Sequence, residues 1–134
     1  MAQALSTRYS FTKLVVHDLE KMAAFYKQVY DLQQIARIQA QIGPDPIDEI
    51  ILGVGNDMSQ SSIILLKYIE RPASQSRELI QGWSTDDLPA LLDRVRAAGG
   101  SVAVDLEVKP EMKIKVAFAT DPEGHLAELI QMLA

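Results

Sequence analysis

The chain has 134 residues, of which 48% are hydrophobic and 23% charged, a balance typical of one folded domain. Its formal net charge is −5 without a stripe of Lys or Arg, which argues against a nucleic-acid partner. The absence of cysteine excludes disulfides, thiolate metal ligands and cysteine nucleophiles. No apolar run approaches the roughly 18 residues of a membrane span, and the first residues lack a signal-peptide pattern. We therefore expect a cytoplasmic protein without a membrane partner.

The first half of the chain predicts a strand, a helix and three further strands. The first strand is YSFTKLVVHD (9–18), and Asp18 is the predicted N-cap of the helix. Apolar residues then recur at helical spacing, at Leu19, Met22, Tyr26 and Val29. The later strands are separated by GPDP and by a polar turn at 56–61, and they are predicted at 33–42, 47–55 and 62–70.

The second half repeats this order after a polar linker that contains Pro72. A strand at 78–86 precedes a helix with Asp87 as its N-cap and Pro89 in its first turn. Gly99 fits the position after a helix C-terminus. Alternation places Trp83 on the helix-facing side of its strand. The remaining strands are predicted at 101–108, 113–120 and 125–133.

The two halves match when one is slid over the other by 69 residues. Phe11 then falls on Ile80, Asp18 on Asp87 and Leu19 on Leu88. We therefore predict an α+β fold of two βαβββ modules, at about 8–68 and 78–132, joined by a linker at about 69–77. One helix covers one face of each sheet, so the other faces are left to form a cup that holds a ligand.

Three stretches resemble the vicinal oxygen chelate superfamily, which includes glyoxalase I, bleomycin-resistance proteins and extradiol dioxygenases. They are VVHDLEKMAAFYKQVYDLQ, DRVRAAGGSV and AFATDPEGHLAELIQ. The resemblance covers residues 8 to 132. It implies a cup-shaped incomplete barrel and a homodimer, with the cup built either within one chain or by exchange of modules between two chains.

Metal-using members of this family bind a divalent ion with four strand residues. On this sequence those positions fall on Phe11, Leu65, Ile80 and Glu128, and only Glu128 has a donor atom. Three protein nitrogen or oxygen ligands are the usual minimum for such an ion. We therefore expect neither a metal nor another cofactor, unless His17 or His125 forms a nonstandard site across a dimer.

The remaining positions predict a largely apolar cup with a few polar groups. Lys13 shares a strand face with Phe11 and is a candidate partner for Glu128. Val15 stands where glutathione-using members carry an arginine, which argues against glutathione as a substrate. The expected ligand-lining residues are Phe11, Lys13, Val15, Leu65, Lys67, Ile80, Phe118, Leu126 and Glu128.

Three functions remain open from the sequence. The first is binding of a small, largely apolar or aromatic molecule in a metal-free cup, as in the bleomycin-resistance branch. The second is a metal-independent isomerase, epimerase or lyase with Glu128 as general base. The third is a dimeric interaction module whose cup no longer binds a ligand.

Overall fold

The structure, a computed structural model, describes residues 6–7, 9–56, 61–74 and 78–134. The predicted turn at 56–61 and the linker at 69–77 therefore lie partly outside the described residues. The elements in chain order are β1 (Thr12–Val15), α1 (Leu19–Tyr30), β2 (Gln33–Ile42), β3 (Asp45–Gly53), β4 (Ser61–Tyr68), β5 (Ile80–Ser84), α2 (Leu88–Ala97), β6 (Ser101–Lys109), β7 (Ile114–Thr120) and β8 (Leu126–Met132).

The strands form two four-stranded sheets of identical topology. The first has the order β1-β4-β3-β2 and the second β5-β8-β7-β6. In each sheet the strand before the helix pairs in parallel with the last strand of its module, and the other pairings are antiparallel. Neither sheet closes into a barrel among the described residues. The predicted α+β fold of two βαβββ modules is confirmed.

Both helices begin at the predicted aspartates. Asp18 Oδ1 accepts a hydrogen bond from Lys21 N at 3.0 Å, and Asp87 Oδ1 accepts one from Ala90 N at 3.1 Å. These bonds satisfy backbone donors that the first helical turn leaves without partners. Among the described residues, no helix is long and apolar enough to cross a membrane.

One hydrophobic core joins the helix-facing sides of both modules. Leu14 and Leu65 of the first sheet and Ala127 and Leu129 of the second belong to it, together with the buried stripes of both helices. Trp83 lies on this side as predicted, and its ring stacks on Tyr30 of α1 with centroids 4.0 Å apart. The opposite side of each sheet, which we call the cup face, is directed away from this shared core.

A polar network also connects the two modules at the turn between β7 and β8. Asp121 is 5% exposed, and its Oδ2 accepts from Tyr26 of α1 at 2.7 Å. Gln81 donates to the same tyrosine oxygen at 2.9 Å. Burial, together with the Asp121 carboxylate, raises the pKa of Tyr26 well above its ordinary value. Glu123 accepts from the backbone nitrogens of His17 and Asp18 at 2.8 Å each, so the second module stabilises the start of the first helix.

Candidate functional site

Glu128 lies in the middle of the cup face of the second sheet. In the strand register it is opposite Gly82 of β5 and Phe118 of β7. It is partly buried, and among the described residues it has no hydrogen-bond or ion-pair partner. Leu126 and Ile130 flank it on the same face, so an unpaired carboxylate lies on a largely apolar surface.

The first sheet differs from the sequence prediction by one residue at β4. Lys13 is opposite Ile64 and Val15 is opposite Leu66, whereas Leu65 is opposite Leu14 in the helix-side core. The placement of Leu65 on the cup face is therefore wrong. The run from 63 to 66 is apolar throughout, so it gives no alternation from which its faces could be assigned.

The same shift moves Lys67 to the helix side of the sheet. Lys67 is opposite Asp48 in the register, and Asp48 is paired with Arg37 at 2.8 Å. Arg37 also bonds to Glu20 of α1. Lys67 thus belongs to the surface around the helix, and its predicted position on the cup face is wrong.

The duplication identifies Ile64 as the counterpart of Glu128. Gly82 follows Lys13 at the 69-residue offset of the repeat, and Lys13 is opposite Ile64 as Gly82 is opposite Glu128. The four positions that correspond to the family's ligands are consequently Phe11, Ile64, Ile80 and Glu128. Correcting the register replaces one hydrocarbon side chain by another and leaves a single oxygen donor.

Lys13 pairs with Glu49 rather than with Glu128. Its Nζ lies 3.0 Å from Oε2 and 3.3 Å from Oε1 of Glu49. Glu49 is 6% exposed and occupies the cup face of β3. Sequence reasoning missed this residue, although a lone acid in the apolar strand IDEIILG is the same signal that drew attention to Glu128.

The expected cup residues fall into two groups. Phe11, Lys13 and Val15 lie on the first module, and Ile80, Phe118, Leu126 and Glu128 lie on the second. Phe11 is 42% exposed and Ile80 is 53% exposed. No printed hydrogen bond, ion pair or ring contact between described residues joins the two groups. Each half of the cup is therefore present, while the shared core holds the modules together on their other sides.

Two cavities lie where the modules meet. The larger, of about 430 Å³, is lined by Tyr9, Thr12, Ile63 and the segment 79–84. The smaller, of about 170 Å³, borders Lys13 and Val15 and reaches Gln81 and His125. The cup-face residue Lys13 therefore has open space beside it.

The two histidines do not come together. His17 is exposed at the end of β1. His125 Nδ1 is 2.8 Å from Asp121 Oδ2, and its Nε2 is 3.2 Å from the Val15 carbonyl oxygen. The hydrogen bond with Asp121 raises the pKa of His125 despite partial burial. Within the described residues, no group of three or more His, Asp or Glu side chains is placed to hold a metal ion.

Known proteins share this architecture and part of this sequence. A protein of Vibrio cholerae named "Probable lactoylglutathione lyase" is 32% identical over 127 residues, which cover 92% of this chain and 90% of that protein. A glyoxalase family protein from Bacillus cereus superposes with a TM-score of 0.83 at 16% identity and covers 100% of this chain and 99% of its own.

Glyoxalase I from Zea mays superposes with a TM-score of 0.75 at 20% identity over 91% of this chain. The match covers 45% of the maize chain, so the present chain spans a little under half of it. At these identities the two structural matches establish the fold alone. The family model of the Glyoxalase/Bleomycin resistance protein/Dioxygenase superfamily matches residues 8–129. The chain belongs to this superfamily.

Proposed function

We propose that this protein binds a small, largely apolar or aromatic molecule in a cup that does not hold a catalytic metal. The observation that carries the proposal is the set of side chains at the four ligand positions. Phe11, Ile64 and Ile80 offer hydrocarbon, and only Glu128 offers oxygen. A divalent ion held by protein usually requires about three nitrogen or oxygen ligands. This donor set does not fit one.

The name of the Vibrio relatives, lactoylglutathione lyase, is therefore not the function that we assign to this chain. The resemblance to glutathione-using members would place an arginine at Val15, and valine cannot bind a carboxylate. Loss of the metal ligands and loss of that arginine act in the same direction. The remaining surface favours an uncharged or weakly polar ligand.

We further propose that a second copy of the chain completes the cup. The helix sides of both modules are used in one core, so the cup faces are free to meet the complementary module of another chain. Phe11 and Ile80 are large apolar residues that remain about half exposed in the single chain. Ile80→Asp should therefore convert a dimer to a monomer in sedimentation analysis, whereas Val54→Asp, a change at a residue 72% exposed, should not.

A second function is favoured by the isolation of the Glu128 carboxylate. A half-buried carboxylate without a partner, beside Phe118 and Leu126, is free to take a proton from a bound substrate. In that case the protein is a metal-independent isomerase, epimerase or lyase. Glu128→Gln would abolish its turnover and leave ligand binding intact, because the amide keeps the shape and one acceptor oxygen.

A thermal-shift screen of chelator-treated protein tests the primary proposal. Uncharged aromatic compounds should raise the melting temperature in the presence of EDTA, since a ligand that binds only the folded state stabilises it. Gly82→Leu should abolish these shifts because it fills the cup face directly opposite Glu128.

The outcome that contradicts the proposal is equally specific. Stabilisation that appears only after a divalent metal is added, or turnover of the methylglyoxal–glutathione adduct by the metal-loaded protein, would assign the chain to metal-dependent chemistry. Hits that Gly82→Leu leaves unchanged would place the binding site outside the cup.

A further inference from the structure

Glu49 is a buried carboxylate on the cup face of the first sheet. In the register it lies opposite Leu66 of β4 and Ile38 of β2. Ile47 and Ile51, which share its face on β3, are buried and apolar. A carboxylate in such surroundings is costly unless donors satisfy its oxygens.

Lys13 compensates the charge of Glu49 without satisfying both oxygens. Its Nζ donates to Oε1 at 3.3 Å. It also lies 3.0 Å from Oε2, yet Oε2 has no hydrogen-bond partner, because the ammonium approaches it outside the directions that a hydrogen bond requires. Buried acceptors without donors are few in folded proteins. This one, on a residue that is 6% exposed, is a place for a donor from a ligand.

Lys13 connects the pair to open space. Its side chain is 35% exposed, whereas that of Glu49 is 8% exposed. Lys13 and Val15 border the cavity of about 170 Å³ that reaches Gln81. A lysine ammonium has three N–H donors, and Glu49 Oε1 takes one of them. A polar group in this cavity can therefore approach Nζ and, beside it, Oε2.

The charges of the pair select the chemistry of that group. Lys13 and Glu49 already balance, so a ligand cation would place a second positive charge beside Lys13. A ligand carboxylate would in turn face Glu49, and an uncompensated charge at a buried site is costly. A hydroxyl avoids both penalties because its hydrogen is donated to Oε2 while its oxygen accepts from Nζ.

We propose that Lys13 and Glu49 form a subsite for the hydroxyl group of an uncharged apolar ligand, with Oε2 of Glu49 as the acceptor and Nζ of Lys13 as the donor. This inference rests on the proposed function, the metal-free apolar cup, and adds the ligand class. The favoured ligands are alcohols and phenols rather than hydrocarbons, ethers, amines or acids.

Four matched probes test the subsite on the full chain after chelator treatment. They are 2-naphthol, 2-methoxynaphthalene, 2-naphthoate and 2-naphthylmethylammonium, each titrated by calorimetry. We expect 2-naphthol to bind at least about tenfold more tightly than each of the others, since a hydrogen bond to a charged acceptor is worth that factor or more. This comparison uses the unaltered protein and does not depend on whether a variant folds.

Two variants locate the preference. The double variant Lys13→Met/Glu49→Leu replaces the pair by hydrocarbon of similar size, a change that buried ion pairs often tolerate. It should bind 2-naphthol and 2-methoxynaphthalene with equal affinity. The matched control is Asp48→Asn, which removes an adjacent acid that faces the helix side and pairs with Arg37. It should keep the tenfold preference.

Each alternative result overturns the subsite in a distinguishable way. Equal binding of 2-naphthol and its methyl ether, or preference for a charged probe, contradicts the hydroxyl subsite but leaves the apolar cup in place. Persistence of the preference in the double variant shows that another residue holds the hydroxyl. If none of the four probes binds, the proposed function fails and the subsite fails with it.

Discussion

The Asp121 carboxylate and the His125 imidazole form a hydrogen-bonded pair at the junction of the modules, with Oδ2 and Nδ1 2.8 Å apart. The side chain of Asp121 is 1% exposed and that of His125 is 16% exposed. The other ring nitrogen of His125 faces the Val15 carbonyl oxygen of the first module at 3.2 Å. Both nitrogens therefore face acceptors, and only the protonated ring can donate to both.

This pair predicts that the protein loses stability as the pH rises. The pKa of His125 is raised in the folded state by its hydrogen bond to Asp121. Its stabilising contribution is therefore fully present below the ordinary histidine value of 6.5, and it is lost as the pH rises through the higher folded value. Urea unfolding from pH 6 upward should show the decrease. His125→Asn should remove it, whereas His17→Asn, a change at an exposed residue, should leave it unchanged.

Asp121→Asn should be among the most destabilising polar substitutions in the chain. The Asp121 carboxylate accepts from the Tyr26 hydroxyl, the His125 ring and the backbone nitrogens of Glu123 and His125. An amide in its place has only one acceptor oxygen, so we expect a loss of about 2 to 4 kcal/mol in the free energy of unfolding. The control is Asp86→Asn, at an exposed position, and a loss of similar size there would refute the assignment.

Glu123→Ala tests whether the second module stabilises the first helix. Removing the carboxylate leaves the backbone N–H groups of His17 and Asp18 without their acceptor. By analogy with the loss of a helix N-cap, we expect a decrease of about 1 to 2 kcal/mol, measured by urea unfolding. Glu111→Ala removes an exposed acid outside this contact. If the two variants are equally stable, the contact does not contribute.

Two glycines should respond in opposite ways to alanine. A Cβ at Gly100 would collide with the backbone oxygen of Thr120 and lie 2.8 Å from Val95 Cγ1 and 3.0 Å from Phe25 Cε2. We expect Gly100→Ala to lower the melting temperature, with a cost of about 1 to 3 kcal/mol. At Gly82 a Cβ would meet nothing within 4 Å, so Gly82→Ala should change stability by no more than about 0.5 kcal/mol. A tolerated Gly100→Ala would contradict the close packing between the modules.

The sequence predicted the elements and the duplication because these depend on local patterns. The helix caps at Asp18 and Asp87 and the apolar helical stripes are each encoded within a few residues. Trp83 was placed correctly because its strand alternates. The register of β4 was not predictable, since four successive apolar residues permit either face.

The ion pair of Lys13 was predicted with the wrong partner. On the strand pattern alone, Glu49 and Glu128 are equivalent acids, each alone in an apolar strand. The choice between them depends on which strands are neighbours, and Lys13 reaches across β4 to β3 within its own sheet. The contact of α1 with Trp83 and Asp121 is likewise a property of the module packing, which no local pattern encodes.

Calorimetric titration of the chelator-treated protein with Zn²⁺, Ni²⁺, Mn²⁺, Fe²⁺ and Co²⁺ tests the central claim most directly. The claim is that the cup of this superfamily member has lost its metal site, because Phe11, Ile64 and Ile80 replace three of its ligands. It predicts no stoichiometric binding tighter than about millimolar for any of the five ions, as expected for a single carboxylate. Binding of one ion per cup with micromolar affinity, abolished by Glu128→Gln, would contradict it and restore metal-dependent chemistry.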